Sequence, residues 1–301
     1  MAASAAREKE PMMQAVTNAF DPEKYKRTTY TQWEEAAEAW HRWGPTIRAW
    51  LGPATERLLD LAKVAPGSRV LDVAAGAGDQ TLDIAARVGA AGRVVATDIS
   101  PAILAYAAAE AKARGMTQVS TRVMDGENLE LEGQTFDVVV SRVGLIYFPD
   151  QLKALKGMHR CLVPGGRVAA IVYGPAEDNG FFSVPVSIIR RRAALGPPLP
   201  GQPGPFSLSS RDAVTRLYEA AGFGDVRFER VKAPLRLPSA GDCLAFERES
   251  FGALHQMLSG LDTAGRAAAW DEVAEALQKF EGKDGFEGPC EMVLAIGTKP
   301  Q

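Results

Sequence analysis

The stretch that decides the fold is Val70-Leu71-Asp72-Val73-Ala74-Ala75-Gly76-Ala77-Gly78-Asp79. It begins as a short apolar, β-branched run of the kind a parallel sheet buries. It then becomes a small-residue loop that opens into a helical pattern over Thr81–Val88. Glycines in such a loop let backbone amides approach a ligand closely, and the helix start turns its positive dipole end toward the same spot. A tight strand-to-helix turn with nothing bound has the same appearance, so the neighbouring segments decide.

Strand patterns at Arg69–Val73, Arg93–Thr97, Val119–Met124, Phe136–Ser141 and Arg167–Val172 alternate with helical patterns at Thr81–Val88, Pro101–Arg114 and Asp150–Cys161. This alternation predicts a doubly wound α/β fold on a mostly parallel sheet. Pro164-Gly165-Gly166 reads as the turn before the fifth strand. A helix at Arg211–Ala221, a sixth strand at Asp225–Val231 and a seventh at Glu291–Gly297 complete a seven-stranded sheet.

Two regions stand outside this pattern. Trp33, Ala37, Trp40, Trp43 and Ile47 recur at helical spacing with a break at Pro45, and a further helix runs from Ala54 to Lys63. Between the last two strands lie about sixty residues, too many for a hairpin, with helical patterns near Gly241–Ser259 and Thr263–Phe280. The expected division is a disordered tail over 1–14, lid helices over 15–63, a core over 64–232 plus 290–301, and a helical cap over 233–289. Gly196–Pro205 is rich in Pro and Gly and reads as a flexible connection.

Of the 301 residues 46% are hydrophobic and 24% charged, the balance of a globular protein. A net charge of -3 gives no general attraction to nucleic acid or anionic membranes. The basic run Arg190-Arg191-Arg192 reads as a solvated helix face. Three cysteines (Cys161, Cys243, Cys290), with no Cys-x-x-Cys pair, argue against a disulfide framework or zinc site and for a reducing, cytoplasmic setting. No run approaches the ~20 apolar residues of a membrane span, and the first fourteen residues lack the apolar core of a signal peptide. No metal is expected.

Twenty residues after Gly78 the second strand ends at Asp98, in Thr97-Asp98-Ile99-Ser100-Pro101. A carboxylate there accepts from both hydroxyls of a ribose whose attached group sits over the glycine loop; it can equally cap the next helix. Either a dinucleotide or S-adenosylmethionine satisfies that geometry. The dinucleotide fingerprint wants a third Gly three positions after Gly78, where Thr81 stands. Asp72, just ahead of the glycines, would repel a pyrophosphate and attract an ammonium or sulfonium. A third acid, Asp125 in Asp125-Gly126-Glu127, follows the third strand, where it suits an adenine amino group or simply forms a turn.

The ordered set Leu71-Asp72-Val73-Ala74-Ala75-Gly76-Ala77-Gly78-Asp79, Asp98, Asp125-Gly126-Glu127, Phe136-Asp137-Val138-Val139-Val140-Ser141-Arg142 and Pro164-Gly165-Gly166-Arg167 resembles the class I S-adenosylmethionine-dependent methyltransferases. Within them it is similar to the ubiquinone/menaquinone C-methyltransferase-like group, over about Arg69 to Tyr173. The resemblance implies a Rossmann-like fold, S-adenosyl-L-methionine as cofactor and a small organic acceptor methylated on carbon or oxygen. It further implies that Asp72 sits near the ligand's amino group, that Gly76 and Gly78 cradle its methionine part and that Asp98 holds the ribose. Ile99 then packs on adenine, Asp125 meets its amino group with Gly126 and Glu127 alongside, and Ser141 or Arg142 lies beside the methionyl moiety. The family's first loop glycine is replaced by Ala74, which is tolerable if the backbone there stays in the β region.

Catalytic residues are less legible. Tyr147 and Tyr173, at the ends of the fourth and fifth strands, and His41 and His255, in the flanking helices, are the candidates, while His159 reads as a packing residue. Trp33, Trp40 and Trp43 read as core before substrate box. A nicotinamide-dependent oxidoreductase and a cofactor-binding protein without turnover are the competing classes; Thr81 and Asp72 argue against the first.

Overall fold

The computed structural model describes residues 20–199 and 201–301, so the tail expected over 1–14 lies outside the described residues. Seven strands form the main sheet: β1 (Arg69–Val73), β2 (Arg93–Asp98), β3 (Val119–Val123), β4 (Phe136–Arg142), β5 (Leu162–Tyr173), β6 (Gly224–Lys232) and β10 (Glu291–Thr298). Their order is β3-β2-β1-β4-β5-β10-β6. The first five are parallel, and β10 runs antiparallel between β5 and β6. Central strands are buried on both faces, which is why β1, β2 and β4 read as continuous Val/Ala/Leu runs.

Helices α3 (Asp79–Val88), α4 (Pro101–Ala113), α5 (Gln151–Cys161) and α7 (Arg211–Ala220) are the crossovers. Their starts follow from local chemistry: Ser100, Asp150 and Ser210 each accept a backbone N–H at the helix start. The fifth strand begins earlier than expected. Pro164-Gly165-Gly166 is absorbed as a bulge inside β5, where the pairing jumps from Phe136↔Leu162 to Val138↔Arg167 with Gly165 at φ +77°.

At the N-terminal side, α1 (Pro22–Arg42) starts with Asp21 as cap and Pro22 in its first turn. Then α2 runs unbroken over Gly44–Leu61 with Pro53 inside it, where two helices were expected. Ile47, Leu51, Leu58 and Leu59 of α2 are fully buried, each worth about 1.5–3 kcal/mol of burial, and Trp50 donates to the Ala233 carbonyl at 2.8 Å. Thus α2 belongs to the core, and α1 is the element that rests on top, across α4.

A helix of which the sequence showed only the basic end, α6 (Gly180–Arg192), follows β5 and buries Phe181, Phe182, Ile188 and Ile189; Pro185 inside it disguises the rest of the pattern. The basic run at its end clasps α10 (Thr263–Leu277), with Arg191 and Arg192 on Glu272. The insertion is not purely helical. Besides α8 (Ala240–Ser250), α9 (Gly252–Met257) and α10 it contains a small antiparallel sheet of β7 (Leu235–Leu237), β8 (Glu281–Gly282) and β9 (Gly285–Gly288). Strands of two to four residues give too little alternation to register as a pattern.

Candidate functional site

A cleft lies at the C-terminal ends of β1 to β4, where the strand order reverses between β1 and β4. Ligands of open α/β sheets bind at this switch point. Its floor is the β1–α3 loop, which takes left-handed backbone at Ala74 (φ +58°), Gly76 (φ +59°) and Gly78 (φ +89°). The expectation of β-region backbone at Ala74 is therefore corrected. A non-glycine residue there costs roughly 1–2 kcal/mol, and its methyl fills the space where a Gly144 side chain would stand.

Asp98, 7% exposed, closes β2 and lines the cleft. Its carboxylate accepts the N–H of Gly76 at 3.0 Å and of Ser100 at 3.0 Å. Burial raises its pKa, and those two N–H groups hold the rise back. The Ala75 N–H goes to the Thr97 carbonyl and the Gly78 N–H to Ala75. The loop's amides are thus largely occupied by the protein itself.

The roof comes from α1. Lys26, Thr29, Trp33 and Trp40 line the cleft. The Trp40 indole covers Gly76 closely enough that a Cβ there would fall 3.3 Å from its Nε1. Trp33 stands edge-on to Trp40 at 5.3 Å and to Tyr147 at 5.8 Å. Three polar fastenings hold α1. Lys26 pairs with Asp125 at 2.8 Å and with Glu127; Glu34 accepts the Ala102 N–H at 3.1 Å at the start of α4; Arg42 and Trp43 donate to Glu249 of α8 at 2.7 and 2.6 Å. Desolvation lowers the Lys26 pKa, but the two carboxylates outweigh it and the net shift is upward.

A profile of the ubiE/COQ5 methyltransferase family matches residues 50–181. The chain is similar to the nocamycin O-methyltransferase of Saccharothrix syringae, 33% identical over 199 residues that cover 62% of this chain and 70% of that one. It is also similar to the demethylmenaquinone methyltransferase of Thermus thermophilus, 31% identical over 196 residues, 62% of this chain and 87% of that one. The chain belongs to the ubiE/COQ5 methyltransferase family. The fold agrees: the crystal structure of the YcgJ protein from Bacillus subtilis superposes with a TM-score of 0.56 at 17% identity, covering 83% of this chain and 99% of that one. This methyltransferase is accordingly an S-adenosylmethionine-dependent enzyme.

Of the residues singled out from sequence, the methyltransferase gathers Ala74, Gly76, Asp98, Ile99, Asp125, Gly126, Arg142 and Tyr147 around the cleft. Four others stand behind its wall. Asp72 is fully buried and accepts from Gln80 Nε2 and Thr81 Oγ1, both at 2.7 Å; burial pushes its carboxyl up to about 6, the hydrogen bonds opposing. Gly78 is where α3 touches α4, since a Cβ there would lie 2.5 Å from that of Ala107. Glu127 is engaged by Lys26 and by the Asp150 N–H at 2.6 Å. Ser141 is buried with its hydroxyl unpaired.

The remaining catalytic candidates do not converge on the cleft. His41 stacks on Tyr106 at 4.3 Å. His255 meets the Arg248 carbonyl at 2.6 Å beside Trp270. Tyr173 is sealed among Trp50, Phe182 and Phe206. Burial pushes the phenols of Tyr147 and Tyr173 well above their ordinary value, so neither is a base near neutrality. His159, read as a packing residue, lies edge-on to Phe223 at 4.9 Å.

Among the lining residues that escaped the sequence reading, two carry polar groups that shape the site, Lys26 and Gln80. Lys26 precedes the aromatic pattern, although Asp21-Pro22 is a legible helix start four residues earlier. Gln80 carries no local signal; its importance arises from Asp72 beneath it. Arg142, which pairs with Asp79 and donates to Thr55 at 3.2 Å, completes this end of the cleft.

Proposed function

We propose that the methyltransferase moves the methyl group of S-adenosylmethionine, bound in the β1–β4 cleft, to a small organic acceptor admitted beneath α1. The observation that carries this reading is Asp98. Its carboxylate is buried, held by two backbone amides and still lines the cleft, which suits the paired hydroxyls of a ribose. The residues fit the rest of the cofactor: Gln80 Oε1 is buried with no partner among the described residues, Arg142 at the end of β4 supplies a cation, and Asp125 with Gly126 lines the cleft from beyond β3, three strands away. A pyrophosphate suits the site poorly, because the loop amides it would need are engaged and the acids repel it.

When bound, S-adenosylmethionine supplies a methyl group on a sulfonium, open to in-line displacement. The chain's own contribution is positioning and exclusion of water. The glycine loop, Asp98 and Asp125 fix one reactant, while Trp33, Trp40 and Tyr147 form an apolar, aromatic wall over it. Among the described residues lining the cleft no side chain stands ready as a base, which suits an acceptor already nucleophilic, at carbon or oxygen, or one that loses its proton to water.

The division that supports this function is α1 as cover, α2 through β6 with β10 as core, and the 233–289 insertion as cap. We place the enzyme in a reducing, cytoplasmic setting on the strength of its three unpaired, buried thiols, and we expect no nucleic-acid partner. No helix among the described residues is long and apolar enough to cross a membrane.

The test is incubation with methyl-labelled S-adenosylmethionine and fractionated small metabolites, followed by mass spectrometry. A labelled small molecule is the expected result. Label found only in nucleic acid or protein overturns the acceptor class, and a larger thermal shift with NADH than with S-adenosylhomocysteine overturns the cofactor site.

A further inference from the structure

Asp72, Gln80 and Thr81 form a closed set beneath the cleft floor. The Asp72 carboxylate takes one neutral donor on each oxygen, Gln80 Nε2 on Oδ1 and Thr81 Oγ1 on Oδ2, both at 2.7 Å, and has no exposure of its own. An ionised carboxylate only accepts, so the amide nitrogen of Gln80 has to face it and the amide oxygen has to face the other way. Gln80 lines the cleft, is 1% exposed, and its Oε1 is without a partner among the described residues. A buried carbonyl left unpaired costs about 1–3 kcal/mol, and a donor brought by a ligand removes that cost.

The position identifies the donor. Gln80 follows β1 and Arg142 ends the adjacent β4, whereas Asp125 and Gly126, with Phe148 against Gly126, follow β3, three strands from β4 in the sheet order. Arg142 is anchored by Asp79, the residue next to Gln80. A fixed cation beside a fixed neutral acceptor complements an α-amino acid zwitterion, carboxylate to the guanidinium and ammonium to the carbonyl.

We propose that Gln80 Oε1 accepts a hydrogen bond from the α-ammonium of the cofactor's methionyl portion, and that Asp72 is a positioning residue that sets the direction of the Gln80 amide without touching the ligand. The proposal rests on the cofactor reading above. It replaces the direct contact between Asp72 and the amino group that the family resemblance implies. It also explains the presence of an acid in a place it cannot reach the ligand from: a neutral residue at 72 leaves the Gln80 amide free to turn its nitrogen toward the cleft, where it would oppose the ammonium.

The experiment is calorimetric titration of the full chain with three ligands: S-adenosylhomocysteine, its deamino analogue that keeps the carboxylate, and 5′-methylthioadenosine, which lacks the amino-acid portion. The parent is expected to prefer S-adenosylhomocysteine to the deamino analogue by about ten- to a hundredfold, the worth of a hydrogen bond to a charged group. Gln80→Met should lose that preference while binding 5′-methylthioadenosine within twofold of the parent. Asp72→Asn should lose it too, whereas a purely structural Asp72 weakens all three ligands alike. A parent that binds both amino-acid ligands equally, or a Gln80→Met variant that keeps the preference, overturns the proposal while leaving the cofactor reading standing. Failure of all three ligands to bind the parent overturns both. Should Gln80→Met not fold, the parent's ratio between the first two ligands and the Asp72→Asn ratio still decide.

Discussion

The Asp98 carboxylate accepts the Gly76 N–H at 3.0 Å, which makes the end of β2 and the turn of the β1–α3 loop one mechanical unit. The acid that suits the ribose also holds the loop beside it. Asp98→Ala should therefore do more than delete a ligand contact. We expect S-adenosylhomocysteine affinity to fall by about ten- to a hundredfold, and amide exchange at Gly76 to speed up even without ligand. Asp98→Asn, which can still accept from Gly76, should protect that amide while binding weakly. Unchanged affinity in Asp98→Ala would remove the ribose assignment.

Ala74 and Gly144 are coupled by sterics. Gly144 has ordinary backbone dihedrals, yet a Cβ there would run into the Ala74 methyl and come within 3.0 Å of Ser141 Oγ. Gly144→Ala should destabilise the fold by about 1–3 kcal/mol, the usual cost of overpacking. Ala74→Gly should raise stability by up to about 1 kcal/mol, because it relieves the left-handed alanine. The double variant should recover most of the Gly144→Ala loss. Simple additivity in denaturant melts would show that the two residues do not meet.

Lys26 fastens α1 over the cleft through Asp125 and Glu127. With the Lys26 side chain 20% exposed, the fastening is worth about 1 kcal/mol, roughly fivefold in a rate. Lys26→Met should release S-adenosylhomocysteine several-fold faster in stopped-flow measurements and open α1 to earlier proteolysis. Salt should speed release from the parent more than from the variant. A tighter complex in Lys26→Met would mean instead that Lys26 competes with the ligand for Asp125.

Glu247 in α8 is fully buried, with Oε2 unpaired and only the Cys243 thiol, at 3.9 Å, on the other oxygen. Burial raises its pKa well above 4.5. The folded state therefore holds a proton that the unfolded chain gives up near its ordinary value, so stability falls as pH rises from about 4.5 toward the folded-state pKa. Each unit of difference is worth about 1.4 kcal/mol. Tyr173 and Cys243, its titratable neighbours, stay neutral throughout because burial raises both. Glu247→Met should match the parent near pH 4 and exceed it in melting temperature at pH 8. A constant gap across that range would refute a protonated Glu247.

The sheet and the cleft floor were readable because they obey local rules: buried strands give Val/Ala/Leu runs, and helices start at Ser100, Asp150 and Ser210. Asp98 and Arg142 end their strands and Ile99 and Asp125 come within two residues of one, so knowing the strands located them at the switch point. What stayed hidden depends on contacts distant in sequence. Asp72 turns away from the ligand because Thr81 and Gln80 claim it. Gly78 serves Ala107, on a helix two elements later. Pro185 conceals α6, whose apolar faces make sense only once the insertion packs on it. Tyr173 looked like a residue facing the ligand until Phe182 and Phe206 enclosed it.

The place of β10 shapes how the protein is made. It is antiparallel between β5 and β6, with Glu291 opposite Lys232 and Val293 opposite Val172. During synthesis at about 5–20 residues per second, β6 emerges with no strand to bind and waits through the whole insertion for its neighbour. For those seconds the growing chain exposes two strand edges, one on β5 and one on β6, both open to pairing with another nascent chain. The charged pattern of β6, with Asp225, Arg227, Arg230 and Lys232 exposed, is the kind of sequence that keeps such an edge from sticking while it waits.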